Sequence, residues 1–207
     1  MRFFSKNELL AVLLIFILVT AFTLKGLKDA TRRARDFQRK QDIGIISDAL
    51  HKYQEEFGFF PPSENGKIKA CKGDYYSNVF EKLKELKEFD RELFFSGLKV
   101  CDWGIDPLRD LQELDSAAYL NALPSDPKSV SGLSYLYLSN TNRFQLYSYL
   151  EGEDNENGFN EKIMERELLC GNMKCSYGKS YGNTPLDISI EDYERILLEE
   201  SKTGQRD

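Results

Sequence analysis

The sequence has a single histidine, His51, and lacks four short motifs that commonly mark a catalytic site. It contains no phosphate-binding loop, dinucleotide-binding glycine pattern, zinc-protease helix or nucleophile elbow. His51 has no serine or cysteine at catalytic spacing, and the acidic residues are mostly mixed with lysines on helical faces, a pattern typical of solvated surfaces. We therefore expect that the protein is not an enzyme.

Positive charge is outweighed along the chain as a whole. The 28 lysines and arginines are fewer than the 34 aspartates and glutamates, and the net charge is −6. A protein that binds nucleic acid in general needs a basic surface. We therefore do not expect nucleic acid to be a primary partner.

Proline is absent before Pro61, and the only long apolar run lies near the N-terminus. The sixteen residues from Leu9 to Leu24 include only two polar ones, Thr20 and Thr23. As a helix they rise about 24 Å, compared with a hydrocarbon core of about 30 Å. The run is therefore long enough to cross a membrane if the residues before it contribute.

A second apolar pattern follows the charged residues after this run. Its members recur at spacings of three or four and share one helical face: Ile43, Ile46, Leu50, Tyr53 and Phe57. Because no proline separates the two segments, they predict one helix of roughly fifty residues.

Two other interpretations of the N-terminus remain open. Arg2 and Lys6 could be the charged region of a signal peptide, with residues 9–18 as its apolar region and residues 19–21 as its cleavage site. The segment could equally be an uncleaved anchor.

The four cysteines suggest an oxidising compartment and two disulfides. We favour the pairs Cys71–Cys101 and Cys170–Cys175, because each pair is local and closes its own loop. Four reduced, buried cysteines are an alternative, and a zinc site is a weaker one because no second pair has the usual spacing.

The charges around the apolar run predict a different membrane topology from the one that the cysteines suggest. Two basic residues precede it, and seven follow it: Lys25, Lys28, Arg32, Arg33, Arg35, Arg39 and Lys40. By the positive-inside rule, the large domain would lie in the cytoplasm. The cysteines place it outside, so the residues alone leave the topology open.

Four landmarks, within residues 4–62 and 120–160, resemble those of type IV pilins and type II secretion pseudopilins. They are F-S-K-N-E-L-L from Phe4, A-R-D-F-Q-R-K-Q-D-I from Ala34 with the aromatic-proline stop after the helix, L-P-S-D-P from Leu123, and the tyrosine-rich strands that follow. In the family, a leader ending in glycine is cut before the phenylalanine, whereas this chain has Phe3 at the glycine position.

The resemblance implies a function and a topology. A prepilin peptidase would cut a leader of residues 1–3, Phe4 would be N-methylated, and Glu8 would meet a neighbour's N-terminal amine during assembly. The subunit would wait in the cytoplasmic membrane with its C-terminal domain outside, then join copies or related pilins in a cell-surface pilus or pseudopilus filament. The alternative is an anchored or secreted extracytoplasmic binding domain that never polymerises.

The expected fold is α+β and pilin-like: a long transmembrane-plus-amphipathic helix on a small antiparallel sheet, with an inserted helical loop and a C-terminal helix. Helices are predicted over residues 78–89, 108–120 and 188–200, and strands over 133–138 and 144–150. The organisation is then a membrane half (4–24), an amphipathic half (25–60), a helix-to-sheet loop (61–130), a hairpin (131–150), a loop region (151–187), and a terminal helix and tail (188–207).

An acidic stretch after the hairpin has alternating oxygen side chains before a glycine, as in a calcium loop. The candidate ligands are Glu153, Asp154, Asn155 and Asn157, although Met164 occupies the position of the bidentate glutamate. The family resemblance raises the expectation of calcium, and an acidic, solvated turn is the alternative. We expect no cofactor to be required.

Overall fold

The computed structural model describes residues 6–111, 117–153 and 158–203. It begins with one continuous helix, α1 (Lys6–Phe57), which confirms that the apolar and amphipathic segments form a single helix. Gly58 ends the helix: its φ is 76°, and its N–H donates to the Gln54 carbonyl at 2.8 Å. Glycine adopts this left-handed conformation without the penalty that a Cβ brings.

The remaining strands and α-helices follow α1 in the chain and form small sheets and shorter helices. In chain order they are β1 (Ser63–Glu64), β2 (Lys67–Lys72), α2 (Tyr76–Glu85), α3 (Arg91–Ser96), β3 (Leu98–Val100), β4 (Leu136–Ser139), β5 (Phe144–Ser148), α4 (Glu161–Glu165), β6 (Leu169–Cys170), β7 (Met173–Lys174), β8 (Tyr177–Ser180) and α5 (Ile190–Thr203). The fold is therefore α+β, with a long N-terminal helix and small antiparallel sheets, as expected.

Three antiparallel sheets are present in the described residues, in the orders β1-β2-β3, β4-β5-β8 and β6-β7. The predicted apolar stripe of α1 packs on the second sheet, and its members Ile43, Ile46, Leu50 and Tyr53 are almost completely buried. The two predicted strands form its hairpin, with Ser139 opposite Phe144, but they cover residues 136–139 and 144–148 in place of 133–138 and 144–150.

The side chains of β5 alternate between two faces, and both faces of the strand are buried. Phe144 and Leu146 belong to the main core with α1. On the other face, Gln145 donates to the Ile188 carbonyl at 2.8 Å, and Tyr147 donates to the Leu186 carbonyl at 2.9 Å. The segment before α5 therefore covers the side of the sheet that faces away from α1.

The helix predicted over 78–89 is wrong at its C-terminal end. α2 ends at Glu85, and Leu86 is extended, with φ −79° and ψ 146°. Asp90 then starts α3, because its side chain accepts a hydrogen bond from the Leu93 N–H at 3.0 Å. An aspartate at this position is a strong N-cap, and it begins a second helix in place of extending the first.

The helix predicted over 108–120 is also wrong. Leu108 and Leu120 form an antiparallel bridge through two N–H···O bonds of 2.9 and 3.0 Å. The ends of a thirteen-residue helix would lie about 18 Å apart, so these residues cannot be its two ends. Residues 112–116 between them lie outside the described part of the chain.

The terminal helix α5 covers residues 190–203, slightly later than predicted. Ser189 caps it by accepting from the Asp192 N–H at 3.0 Å and donating to the Asp192 carboxylate at 2.9 Å. This reciprocal arrangement resembles a capping box. Its outer apolar residues, Ile196 and Leu198, are 42% and 61% exposed.

The four cysteines form two disulfides, Cys71–Cys101 and Cys170–Cys175, which are the two local pairings favoured from the sequence. They close loops of very different length, with sequence separations of 30 and 5. All four residues are buried.

We predict that removal of the Cys71–Cys101 bridge destabilises the fold more than removal of the Cys170–Cys175 bridge. The longer loop loses more entropy on closure, so the paired serine variants should cost about 3.5 and about 2 kcal/mol in the free energy of unfolding. Urea unfolding of the detergent-solubilised chain measures both, and each variant is the control for the other. Equal losses would contradict the loop-length explanation.

Candidate membrane arm and its junction with the head

The N-terminal part of α1 stands clear of the rest of the molecule. The first buried side chain of the helix is Asp36, and every described residue before it is exposed or partly exposed. We call residues 6–35 the arm and the remaining described residues the head. At 1.5 Å per residue, the arm is about 45 Å long.

The apolar part of the arm has the length and the exposure that a membrane-spanning helix needs. By length and composition, α1 contains a segment able to cross a membrane, and none of that segment is buried in the protein. Its large apolar side chains from Leu9 to Leu27 are 55–86% exposed. Surfaces of this size in soluble proteins usually mark an interaction with a membrane or another protein.

The threonines within the arm hydrogen-bond to the helix itself. Thr20 donates to the Phe16 carbonyl at 2.7 Å, and Thr23 donates to the Thr20 carbonyl at 2.9 Å. In hydrocarbon, each polar group needs a partner within the protein. The two interruptions of the apolar run are therefore compatible with burial in lipid.

The arm joins the head at a buried arginine, Arg39. Its side chain has no exposed surface, and its Nε and Nη2 donate to the two carboxylate oxygens of Asp126 at 2.8 and 3.1 Å. Its Nη1 donates to Asp36 at 2.8 Å and to Glu151 at 2.9 Å. A single guanidinium thus connects α1 to two other segments of the chain.

Further contacts extend this group of charges. Arg35 makes two hydrogen bonds of 2.6 Å to Glu151, and Lys128 reaches the same carboxylate at 3.0 Å. The carboxylate of Asp36 accepts from the N–H groups of Glu151 and Gly152 at 2.9 and 3.0 Å. We call the charged members the junction network: Arg35, Asp36, Arg39, Asp126, Lys128 and Glu151.

The surroundings of Arg39 and Glu151 favour the charged form of each. Burial alone would lower the pKa of Arg39, but hydrogen bonds and attraction from Asp126, with Glu151 and Asp36, raise it. The hydrogen bond from Arg35 lowers the pKa of Glu151 from 4.5 to about 2, with Lys128 and Arg39 contributing and burial opposing. These groups therefore stay ionised at neutral pH.

A further buried carboxylate, that of Asp42, lies about one helical turn after Arg39 on α1. Asp42 accepts a hydrogen bond from the Tyr135 hydroxyl at 2.5 Å. Burial raises the pKa of Asp42, and this hydrogen bond partly opposes the shift. The buried polar residues of the two quoted motifs therefore lie close together: Asp36 and Arg39 join Asp126 in the junction network, and Asp42 bonds to Tyr135 just before β4.

The other residues singled out in the sequence lie elsewhere. Glu8 is exposed in the first turn of α1, about 42 Å along the helix from Asp36. Phe3 and Phe4, the cleavage and methylation candidates, lie outside the described residues. His51 shares a hydrogen bond of 2.7 Å with the Ser47 carbonyl and packs among the rings of Phe60, Phe144 and Tyr181.

The calcium prediction stays untested at most of its positions. Glu153 is exposed, and Asp154, Asn155 and Asn157 lie outside the described residues. Within the described ranges, no group of three or more histidine, cysteine, aspartate or glutamate residues is placed to hold a metal ion.

Sequence reasoning did not find the junction network, although the sequence carries a signal for it. Asp36 and Arg39 precede the apolar stripe at helical spacing, so they share a face with Ile43, Ile46 and Leu50. Charged residues that continue a buried face predict buried partners. Their partners on the 123–128 and 149–152 segments could not be identified from spacing alone.

The chain matches no protein-family model, no curated protein and no solved structure.

We predict that Arg39→Met destabilises the head strongly. The substitution leaves Asp126 and Asp36 as buried charges without their main cation, which typically costs about 3–5 kcal/mol. The matched control is Arg33→Met on the exposed side of the same helix, where we expect less than about 0.5 kcal/mol. Urea unfolding of the solubilised chain distinguishes the two, and equal stabilities would show that the network is not structural.

We also predict a contribution of Glu151 to stability that depends on pH. Its folded pKa lies below its unfolded value of about 4.5, so its stabilisation is complete above that pH and is lost as the pH falls towards 2. In urea unfolding from pH 6 downwards, the parent should lose free energy of unfolding as the pH falls. The loss should be smaller in Glu151→Gln by on the order of 2 kcal/mol.

The control for this measurement is Glu55→Gln, which alters an exposed glutamate on α1. It should follow the parent curve. A Glu151→Gln variant with the full acid sensitivity of the parent would contradict the assignment.

Proposed function

We propose that the chain is a structural subunit of a type IV pilus-like or type II secretion pseudopilus filament. It is held in the membrane by its arm before assembly, and it polymerises through α1 with copies of itself or related pilins. The observation that carries this proposal is the exposed apolar arm, which continues without a break into the helix of the head.

The continuity of α1 supports an arm that is retained in the mature protein. A signal peptide is removed and needs no fixed relation to the domain behind it. Here the arm is the same helix as the buried stripe, and the junction network fixes it where it enters the head. A rigid connection of this kind suits a subunit whose arm must take a defined place among neighbouring helices.

The disulfides support a head outside the cytoplasm, because such bonds persist mainly in oxidising compartments. The orientation then has the short N-terminus on the cytoplasmic side. A prepilin peptidase would cut before Phe4, and the new amine would neutralise Glu8 of a neighbouring subunit in the filament. These roles come from the family resemblance of the N-terminal sequence.

We predict that sheared cell-surface material contains helical filaments of this chain and that Glu8→Gln lowers the assembled fraction by at least about tenfold. The variant removes the carboxylate that would meet an amine in an apolar surrounding, where the loss of one partner is costly. The membrane-bound pool should remain, because an uncharged side chain at that position does not weaken insertion. Electron microscopy and immunoblotting of the sheared and membrane fractions measure both.

Glu55→Gln at the far end of α1 is the control and should assemble normally. Intact mass of the assembled chain should correspond to a start at Phe4. A start at Phe22 would show signal-peptide cleavage, and retention of Met1 would contradict pilin-type processing. A membrane-bound chain found in no filament would favour the non-polymerising extracytoplasmic domain.

A further inference from the structure

A cavity of about 360 Å³ lies at the point where the arm leaves the head. One wall is the side of α1, and the other is formed by Leu150 and Gly152 after β5. The charged residues in its lining are three cations and one carboxylate, namely Arg32, Arg33, Lys40 and Asp36. Because Asp36 is already bonded to Arg39 and to two backbone N–H groups, the cavity has an excess of positive charge.

Arg32 has an unused donor at this site. Its Nε is buried and has no hydrogen-bond partner among the described residues. A buried donor without a partner destabilises the fold, and the effect is larger when the group is charged. The group therefore favours an acceptor from outside the described residues, and an anion with several oxygens suits a guanidinium best.

Gly152 brings the opposite wall close to this arginine. A Cβ placed on Gly152 would lie 4.0 Å from the central carbon of the Arg32 guanidinium and 3.4 Å from an Asp36 oxygen. The backbone of Gly152 thus forms the wall of the cavity at the guanidinium, and its N–H is already bonded to Asp36.

The position of the cavity along α1 indicates where its ligand comes from. The last large exposed apolar residue of the arm is Leu27, and Arg32 follows it by five residues, or about 7.5 Å. Side chains on a helix point back towards its N-terminus, which brings both guanidinium groups closer to the apolar part. The headgroup layer on each side of a bilayer is about 5–8 Å thick.

We propose that this cavity binds the phosphate of an anionic phospholipid headgroup in the leaflet that faces the head, with Arg32 and Arg33 as its donors. The inference rests on the membrane anchoring within the proposed function, but it does not require that filaments form. It makes the cavity a site that holds the head against the membrane before assembly.

The test uses the full-length chain in nanodiscs that contain equal amounts of phosphatidylcholine and phosphatidylglycerol. Native mass spectrometry of the released protein measures which lipid is retained. We expect phosphatidylglycerol to be retained over phosphatidylcholine by at least about fivefold. The double variant R32Q/R33Q should lower this ratio to near one.

The matched control is R195Q/K202Q, which removes the same charge from exposed positions on α5. It should retain the parent ratio. Urea unfolding should show that all three proteins stay folded, because none of the four substituted residues is fully buried. An equal loss of preference in this control would show long-range attraction in place of a site. A parent without any preference would overturn the proposal.

A further measurement distinguishes binding of a lipid headgroup from binding of a free anion. Inorganic phosphate at millimolar concentration should leave the amount of retained phosphatidylglycerol unchanged. Displacement of phosphatidylglycerol by inorganic phosphate would show a free-phosphate site in place of a headgroup site. A chain that does not enter the nanodiscs at all would overturn the membrane anchoring and this proposal together. An anchored chain that shows the preference but forms no filaments would contradict only the assembly role.

Discussion

The complete burial of one guanidinium, that of Arg39, constrains the rest of the structure. A charge removed from water must be met by opposite charges and good hydrogen bonds, otherwise the fold loses several kcal/mol. Three carboxylates from three parts of the chain meet that requirement: Asp36 on α1, Asp126 near the end of the helix-to-sheet loop, and Glu151 after β5. The position of α1 on its sheet is thereby fixed at one end by charge and along its length by apolar packing.

The junction network divides α1 into two parts with different surroundings. Beyond Arg39 towards its C-terminus, α1 buries one face against β5 and β8, and its other face is largely polar. Before Asp36 its apolar side chains are exposed on all sides, as in a helix surrounded by lipid or by other helices. The change occurs within about one turn, and the junction network lies at that turn, where ionic contacts replace apolar ones.

The sequence predicted the parts of the fold that depend on local periodicity. The continuity of α1, its buried stripe from Ile43 to Tyr53 and the β4–β5 hairpin follow from spacings of three, four and two residues. The errors occurred where a single residue outweighs a pattern, as when Asp90 caps a new helix, or where distant residues pair, as Leu108 does with Leu120. The junction network was missed for the second reason, because Asp126 and Glu151 lie 87 and 112 residues from Arg39.

The two disulfides join loops within the head, and neither includes a residue of α1. A pull along the arm is therefore carried from α1 to the sheets only by non-covalent contacts and by the single peptide connection after Gly58. The junction network is the first of these contacts on the arm side, so tension reaches its ion pairs before it reaches the apolar stripe. Because the ion pairs of Arg39 are buried, salt screens them only weakly, and the covalently closed loops behind them keep their shape. The head can in this way yield at its attachment to the arm before it unravels.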